Sequence, residues 1–186
     1  MDIVKAEKGD APLIGEVVVT AIGEELAQEL AGEKSVADVV RMFANLAARE
    51  DSQYSYVNTL KAVDDDGHAM GFVVGYDGAY LHRLREAFFA EAREVLGREM
   101  DASLGDECTP DEFYLDSLTV FPQYRGRGVA KALIAAMGRR AEANGKPLGL
   151  LCDKSNSRAR RLYDSLGFRQ VGESMFAWEL MDHLQM

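Results

Sequence analysis

Val120-Phe121-Pro122-Gln123-Tyr124-Arg125-Gly126-Arg127-Gly128-Val129-Ala130-Lys131 is the stretch of this 186-residue chain that decides its fold. A run with strand periodicity, Glu112 to Phe121, leads into it. An amphipathic helix from Ala130 to Asn144 leads out of it, and Gly145 and Pro147 end that helix. Two glycines flanked by arginines between a strand and a helix make an anion cradle. Glycine lets backbone approach closely, the first amides of the helix have no internal partner, and the helix dipole favours negative charge there. Arg125, Arg127 and Lys131 add charge-assisted contacts suited to phosphate. Two familiar phosphate patterns do not fit. The dinucleotide fingerprint needs a third glycine where Lys131 stands, and the P-loop's spacing and Gly-Lys-Ser/Thr are absent. An ordinary solvated turn is the plain alternative, and the ordered elements on either side weigh against it.

Working outward, Ile3 to Ala6 reads as a first strand, and Pro12 to Ile22 and Ser35 to Arg49 as helices. In the second helix Val36, Val39, Val40, Phe43, Leu46 and Ala47 recur at helical spacing, behind a Ser35–Asp38 capping box. Tyr54 to Val63 and His68 to Tyr76 read as strands joined at Asp64-Asp65-Asp66-Gly67. That acidic cluster lacks the alternating ligands and distant glutamate of a calcium loop, so a hairpin turn is expected and no metal is assigned. Leu81, Leu84, Phe88, Ala92 and Val95 share a face of a helix from about Tyr80 to Arg98, followed by a loop from Gly105 to Pro110. In the Glu112 to Phe121 strand, simple alternation sets Phe113, Leu115, Ser117 and Thr119 opposite Tyr114, Asp116, Leu118 and Val120. Leu148 to Cys152 is an apolar strand, Ser157 to Leu166 a helix, and Arg169 to Gly172 and Met175 to Met181 two last strands. Alternating helices and strands predict an α/β (α+β) domain around a mixed sheet, one domain over residues 1–186.

Charge is unevenly spread. The chain carries 21 Lys and Arg against 31 Asp and Glu, a net −10. From Pro122 to Gln170, however, there are 11 basic and 3 acidic residues, a net +8, and the remainder is −18. The overall balance argues against a nucleic-acid or anionic-membrane partner. No apolar run approaches the roughly 20 residues of a membrane span. Acidic residues throughout the first thirty positions exclude a signal peptide, so the cytoplasm is the expected location. Cys108 and Cys152 lie 44 positions apart and give neither a zinc pattern nor a disulfide framework.

Gln123-Tyr124-Arg125-Gly126-Arg127-Gly128 resembles the Q/R-x-x-G-x-G/A signature of the GNAT superfamily of acyl-CoA N-acetyltransferases. Asn156, Ala159, Tyr163, Gly167 and Phe168 resemble its N-x-x-A-x-x-x-Y-x-x-x-G-F. The resemblance is clear over roughly residues 112–180. It implies a GNAT fold, a mixed and mostly antiparallel central sheet flanked by helices, and acetyl-CoA as acyl-donor cosubstrate. It further implies that Leu118, Thr119 and Val120 contact the pantetheine and acetyl carbonyl. Arg125, Gly126, Arg127, Gly128, Val129, Ala130 and Lys131 would hold the pyrophosphate, with Asn156 and Tyr163 lining one wall of the cofactor cleft. Arg158, Arg160 and Arg161 are further candidates for the phosphates.

Asn156 and Tyr163 are two helical turns apart and can share a face, with Ala159, Leu162 and Leu166 toward the core. Asn156 could equally be a helix cap, and Tyr163 a core residue with a satisfied hydroxyl. By resemblance, Tyr163 is the general acid that protonates the departing CoA thiolate. Asp116 is the candidate base for the amine, with Tyr114 as a substitute, although a salt-bridged strand residue would look the same. His68, His82 and His183 fall outside both motifs, where surface or packing roles are expected, and neither cysteine suggests an acyl-enzyme. Family members join the strands here by a tight turn, whereas Asp77 to Asp111 supplies about 35 residues with 9 acids and 4 bases. We read this helical insertion as shaping the acceptor side and favouring cationic amines. A packing decoration or a homodimer contact is the alternative. The resulting expectation is an N-acetyltransferase acting on a primary amine of a small molecule or a protein. The rivals are a non-catalytic acyl-CoA-binding regulatory module and a nucleotide-phosphate binder.

Overall fold

In chain order the elements of the computed structural model are β1 (Asp2–Lys5), α1 (Ala11–Ile22), α2 (Glu24–Ala31), α3 (Val36–Ala47), β2 (Thr59–Val63), β3 (Ala69–Asp77), α4 (Leu81–Glu91), β4 (Phe113–Val120), α5 (Val129–Ala143), β5 (Leu148–Cys152), α6 (Ser157–Ser165), β6 (Arg169–Phe176) and β7 (Glu179–Gln185). Residues 1–177 and 179–186 are described. The seven strands form one sheet in the order β1-β2-β3-β4-β5-β7-β6. Every pairing is antiparallel except β4 with β5. That one parallel pair needs a crossover, and α5 provides it. No helix among the described residues is long and apolar enough to cross a membrane.

Each face of the sheet has its own core. Phe72 and Val74 of β3 meet Ile14, Val18, Phe43 and Phe88 from α1, α3 and α4 on one face. Val73, Phe113, Leu115 and Leu150 meet Leu133 and Met137 of α5 on the other, and α6 adds Ala159, Leu162 and Tyr163. The capping box starts α3 as expected. Ser35 Oγ accepts the Asp38 N–H at 3.2 Å, and Asp38 Oδ2 accepts the Ser35 N–H at 3.0 Å. The helix then buries Val39, Met42, Phe43 and Leu46. Gly15 lets α1 lie directly against α3, because a Cβ there would meet the Val40 carbonyl at 2.7 Å.

Several boundaries differ from the sequence expectation. The strand expected from Tyr54 begins only at Thr59. Local side-chain bonds hold the preceding residues in a turn, with Asn58 Nδ2 donating to the Ser52 and Gln53 carbonyls at 3.0 and 3.2 Å. Helix α2, unassigned from sequence, fits between Gly23 and Gly32, both at positive φ. The helix expected from Tyr80 to Arg98 is α4 to Glu91, then a wider turn over Ala92–Leu96 that stops at left-handed Gly97. The final two strands are a hairpin of β6 and β7. Gly172 sits at an irregularity inside β6, where Gln170 pairs Leu184 and Gly172 pairs His183, so the strand continues past it. Position 178, inside the strand expected over Met175 to Met181, lies outside the described residues.

Two irregularities in β4 set up everything that follows. Against β3, Ser117 pairs Val74 but Leu115 pairs Gly75, which leaves Asp116 as an extra residue. This β-bulge breaks the simple alternation expected from sequence. Leu118 and Val120 therefore pack in the same core as Phe113 and Leu115. Tyr114 packs instead in a third, smaller cluster with Tyr76, Leu81, Leu84 and Cys108, and Thr119 Oγ1 donates to the Val17 carbonyl of α1 at 3.1 Å. Against β5, pairing is limited to Phe113 with Leu148 and Tyr114 with Gly149. Beyond these residues the strands part, and among the described residues the edge of β4 from Leu115 to Val120 has no strand partner on that side.

A buried carboxylate clamps the point where the split begins. Glu112, fully buried, reaches across β5 to β7, where His183 Nε2 and Gln185 Nε2 each lie 2.8 Å from Oε2. The Thr109 N–H donates to Oε1 at 2.8 Å. It crosses at Gly149, where any Cβ would overlap the carboxylate. Burial works to raise the Glu112 carboxyl, but the bonds from His183, Thr109 and Gln185 outweigh it and hold the group below its usual range. A depressed carboxyl stabilises the fold above its unfolded-state pKa and loses that contribution as pH falls through the folded value. Glu112→Gln is expected to lower unfolding free energy by about 1–3 kcal/mol in urea melts at pH 7. The difference between variant and wild type should shrink toward pH 3. An unchanged midpoint at pH 7 would remove Glu112 from this role.

Candidate active site

The glycine loop leaves the end of β4 through a turn at Pro122–Tyr124 and enters α5 at Val129. Gly126 and Gly128 both take positive φ, +77° and +82°, which explains why glycine stands at each. Val129 anchors the helix start in the core, while Arg127, Gly128 and Lys131 are exposed. The amides of the first turn of α5 thus open to the surface beside two cations that make no ion pair among the described residues. Arg127 lies over the Tyr124 ring at 5.6 Å, and the Tyr124 hydroxyl donates to Asp64 Oδ2 at 3.1 Å. The loop is therefore braced against the β2–β3 turn. In that turn Asp64, Asp66 and His68 stand close together, but Asp64 Oδ1 already accepts the Asp66 and His68 backbone N–H groups.

Not every expected cation is free for an anion. Arg125 Nε donates to the Val120 carbonyl at 3.2 Å, which holds its side chain back along the end of β4. Arg160 is committed to Asp182 at 2.7 Å and Asp164 at 3.1 Å. Arg158 and Arg161 are exposed.

On α6 the two motif residues separate. Asn156 is the helix cap, its Oδ1 accepting the Ala159 N–H at 3.0 Å, and it is exposed. Tyr163 instead goes with Ala159, Leu162 and Leu166 onto the core that also holds Leu118, Val120 and Tyr124. Gly167 (φ +98°) ends the helix, and Phe168 folds back so that its ring centroid is 5.5 Å from that of Tyr163. Burial, with Cys152 nearby, pushes the Tyr163 phenol up to about 12, so it stays protonated across the neutral range. Burial also raises both thiols, and neither is poised as a nucleophile.

The Asp116 bulge carries the second centre. The bulge turns its carboxylate away from Leu118 and Val120, into a buried polar cluster on the α1–α4 face. Ser117 Oγ donates to Oδ1 at 2.7 Å, and Tyr76 Oη lies 3.4 Å from Oδ2. The same hydroxyl donates to Glu107 Oε1 at 2.9 Å. Tyr76 has one proton, so a carboxylic acid at Asp116 completes the chain Asp116–Tyr76–Glu107. Glu107 and Arg85, 2% and 3% exposed, are ion-paired, and Arg85 also reaches Asp106 at 3.1 Å. Burial, followed by the charge of Glu107, pushes Asp116 up to about 7, against hydrogen bonds from Ser117, Gln53 and Tyr76. Tyr114, the substitute expected from sequence, is buried with its phenol well above the usual range, so it cannot accept a proton at neutral pH.

Sequence reasoning missed Glu107, Tyr76, Gln53 and Arg85. One local signal existed: Arg85 lies on the apolar face of α4 with Leu81, Leu84 and Phe88, where a charge demands a partner.

A carboxyl raised from 3.8 to about 7 favours the protonated folded state, so stability is lost as pH rises between about 4 and 7. Asp116→Asn should therefore stabilise the fold by on the order of 1–4 kcal/mol at pH 8, a gain that disappears near pH 4. Thermal melts of both proteins at the two pH values check this. A destabilised variant at pH 8 would contradict it.

Comparison with known proteins adds the following. The acetyltransferase (GNAT) family model matches residues 20–168. A [ribosomal protein bS18]-alanine N-acetyltransferase from Haemophilus ducreyi is 40% identical over 119 residues, which are 61% of this chain and 77% of that protein. A crystal structure described as an acetyltransferase superposes over 100% of this chain and 98% of its own, with a TM-score of 0.76 and 29% identity. An N-acetyltransferase structure from Staphylococcus aureus Mu50 covers 100% of both chains at a TM-score of 0.80 and 19% identity, a likeness of fold.

Proposed function

The chain belongs to the acetyltransferase (GNAT) family, and from that premise we propose that it transfers acetyl from acetyl-CoA to a primary amine by direct attack in a ternary complex. The observation that carries this reading is the split between β4 and β5. It leaves one strand edge unpaired between an anion-binding loop and a proton-accepting cluster. The amides at the start of α5, with Arg127 and Lys131, suit the diphosphate of CoA. The free edge of β4 at Leu118, Thr119 and Val120 offers backbone groups to an extended, amide-bearing arm, much as a neighbouring strand would.

The chemistry follows from the two centres. An amine near pH 7 is mostly protonated, and Asp116, poised near 7, can take one proton from it. Tyr76 and Glu107 hold Asp116 in place for that exchange. The free amine attacks the thioester carbon, the C–S bond breaks, and the departing sulfur takes up negative charge. Tyr163 donates to that sulfur as general acid. Its phenol, at about 12, lies above a thiol's ~8.5, so the bond is worth most while the charge is forming. The second amine proton leaves on collapse to the amide and restores the Tyr163 phenol through solvent, while the one held by Asp116 is released, so the reaction yields amide, thiol and one proton. The Haemophilus relative is named for acetylating an alanine of a ribosomal protein, which supports a protein amine as one acceptor class.

Tyr163→Phe should lower kcat by about 10²-fold and leave the acetyl-CoA Kd within about twofold. Equal loss of both in a folded protein would make the tyrosine structural. The acid limb of kcat/KM should lie near pH 7, and Glu107→Gln, which removes the second carboxylate's charge, should move it lower. A limb that stays in place would separate Glu107 from the proton acceptor.

A further inference from the structure

On the α1–α4 face the structure holds a cavity of about 60 Å³ that neither motif predicts. Leu26 of α2, Phe43 of α3, Phe88 of α4, Leu104 and Phe176 wall it, and Gln53, Arg85 and Glu107 form its polar side. The segment between β3 and β4 supplies Phe88, Leu104, Arg85 and Glu107 to this lining. Its acidity does not line the cavity. The charged residues there are Glu29, Glu107, Arg85 and Arg98, which sum to zero. Arg85 is bound to Glu107, and Arg98 donates to the Glu29 carbonyl. Other acids of the segment are paired elsewhere, Glu99 with Arg93 and Asp77 with Lys146. A polycation would find apolar walls and no net negative charge.

Gln53 supplies the polar specificity. It is 2% exposed, and its Nε2 donates to Glu107 Oε1 at 2.9 Å. That contact fixes the amide's orientation, because Glu107 can only accept. The other end, Oε1, is buried without a hydrogen-bond partner among the described residues. An unmet buried acceptor is costly, and a donor N–H relieves it. Through Glu107 and Tyr76 this amide is two side chains from Asp116, where the amine must lose its proton.

Resting on the acetyltransferase reading, we propose that this cavity selects the acceptor. It takes a compact apolar group borne by a primary amine, and Gln53 Oε1 accepts one of the acceptor's N–H groups. The same chemistry is met in a free aliphatic monoamine and in the first residue of a peptide with an apolar side chain, and the assay separates the two.

The full-length protein with acetyl-CoA is assayed for thiol release against isoamylamine, the peptide amide Leu-Gly-Gly-NH2 and spermidine. At least one apolar acceptor should exceed spermidine in kcat/KM by tenfold or more, and which one does so identifies the source. Leu104→Trp, which fills the cavity, should reduce that preference at least tenfold with acetyl-CoA affinity within twofold. Gln53→Leu should reduce kcat/KM for the same acceptor to a similar degree. Spermidine performing as well as the apolar amines, or a folded Leu104→Trp with unchanged selectivity, would overturn the pocket and leave the acetyltransferase reading intact. Acetyl-CoA binding with no turnover on any amine would overturn both.

Discussion

The site depends on β4 and β5 pairing for only two residues and then parting. A parallel pair inside a sheet normally satisfies backbone groups along its whole length. Here Phe113–Leu148 and Tyr114–Gly149 are the only pairs among the described residues, and the edge beyond them lacks a strand partner there. The Glu112 carboxylate, lying over Gly149 and tied to His183 and Gln185, ties the start of β4 to β5 and β7, and beyond it β4 and β5 part while β5 stays paired with β7. A sheet that closed fully would bury its own hydrogen bonds and offer nothing to a ligand. The glycine loop is then placed at the open end of the split, because it follows directly from the last residue of β4.

The bulge at Asp116 divides the labour between the two faces of β4. Below it, Leu115 faces the α5 core, and above it Leu118 and Val120 face that core too, beside Tyr163. Asp116 is left over and turns into the opposite layer, among Tyr76, Gln53, Glu107 and Ser117. In this arrangement Tyr163 and Asp116 lie on opposite sides of the sheet. The segment between β3 and β4 contributes directly, since its Glu107 holds the raised carboxyl through Tyr76, and Arg85 anchors Glu107.

Much of this was legible in the sequence because it is local. The strand–glycine–helix passage at 120–131, the Ser35–Asp38 capping box and the Gly167 stop each declare themselves within a few residues. So did the long segment between β3 and β4. The facing of β4 was misread because alternation assumes an unbroken pleat, and a bulge is set by register against β3, which one strand cannot reveal. Asn156 and Tyr163 share a spacing, but capping claims the first and core packing the second. Glu107, Tyr76 and Gln53 come from three separate stretches and meet only in the fold. The strand expected to end at Gly172 continues through it as one arm of a hairpin.

In the proposed function acetyl-CoA occupies the open edge of β4 and the amides of the loop that follows it. Amide hydrogen exchange with and without acetyl-CoA tests this most directly. Slowed exchange concentrated in residues 115–120 and 126–131 is expected. Protection confined to other parts of the sheet, with these two stretches unchanged by saturating acetyl-CoA, would contradict it.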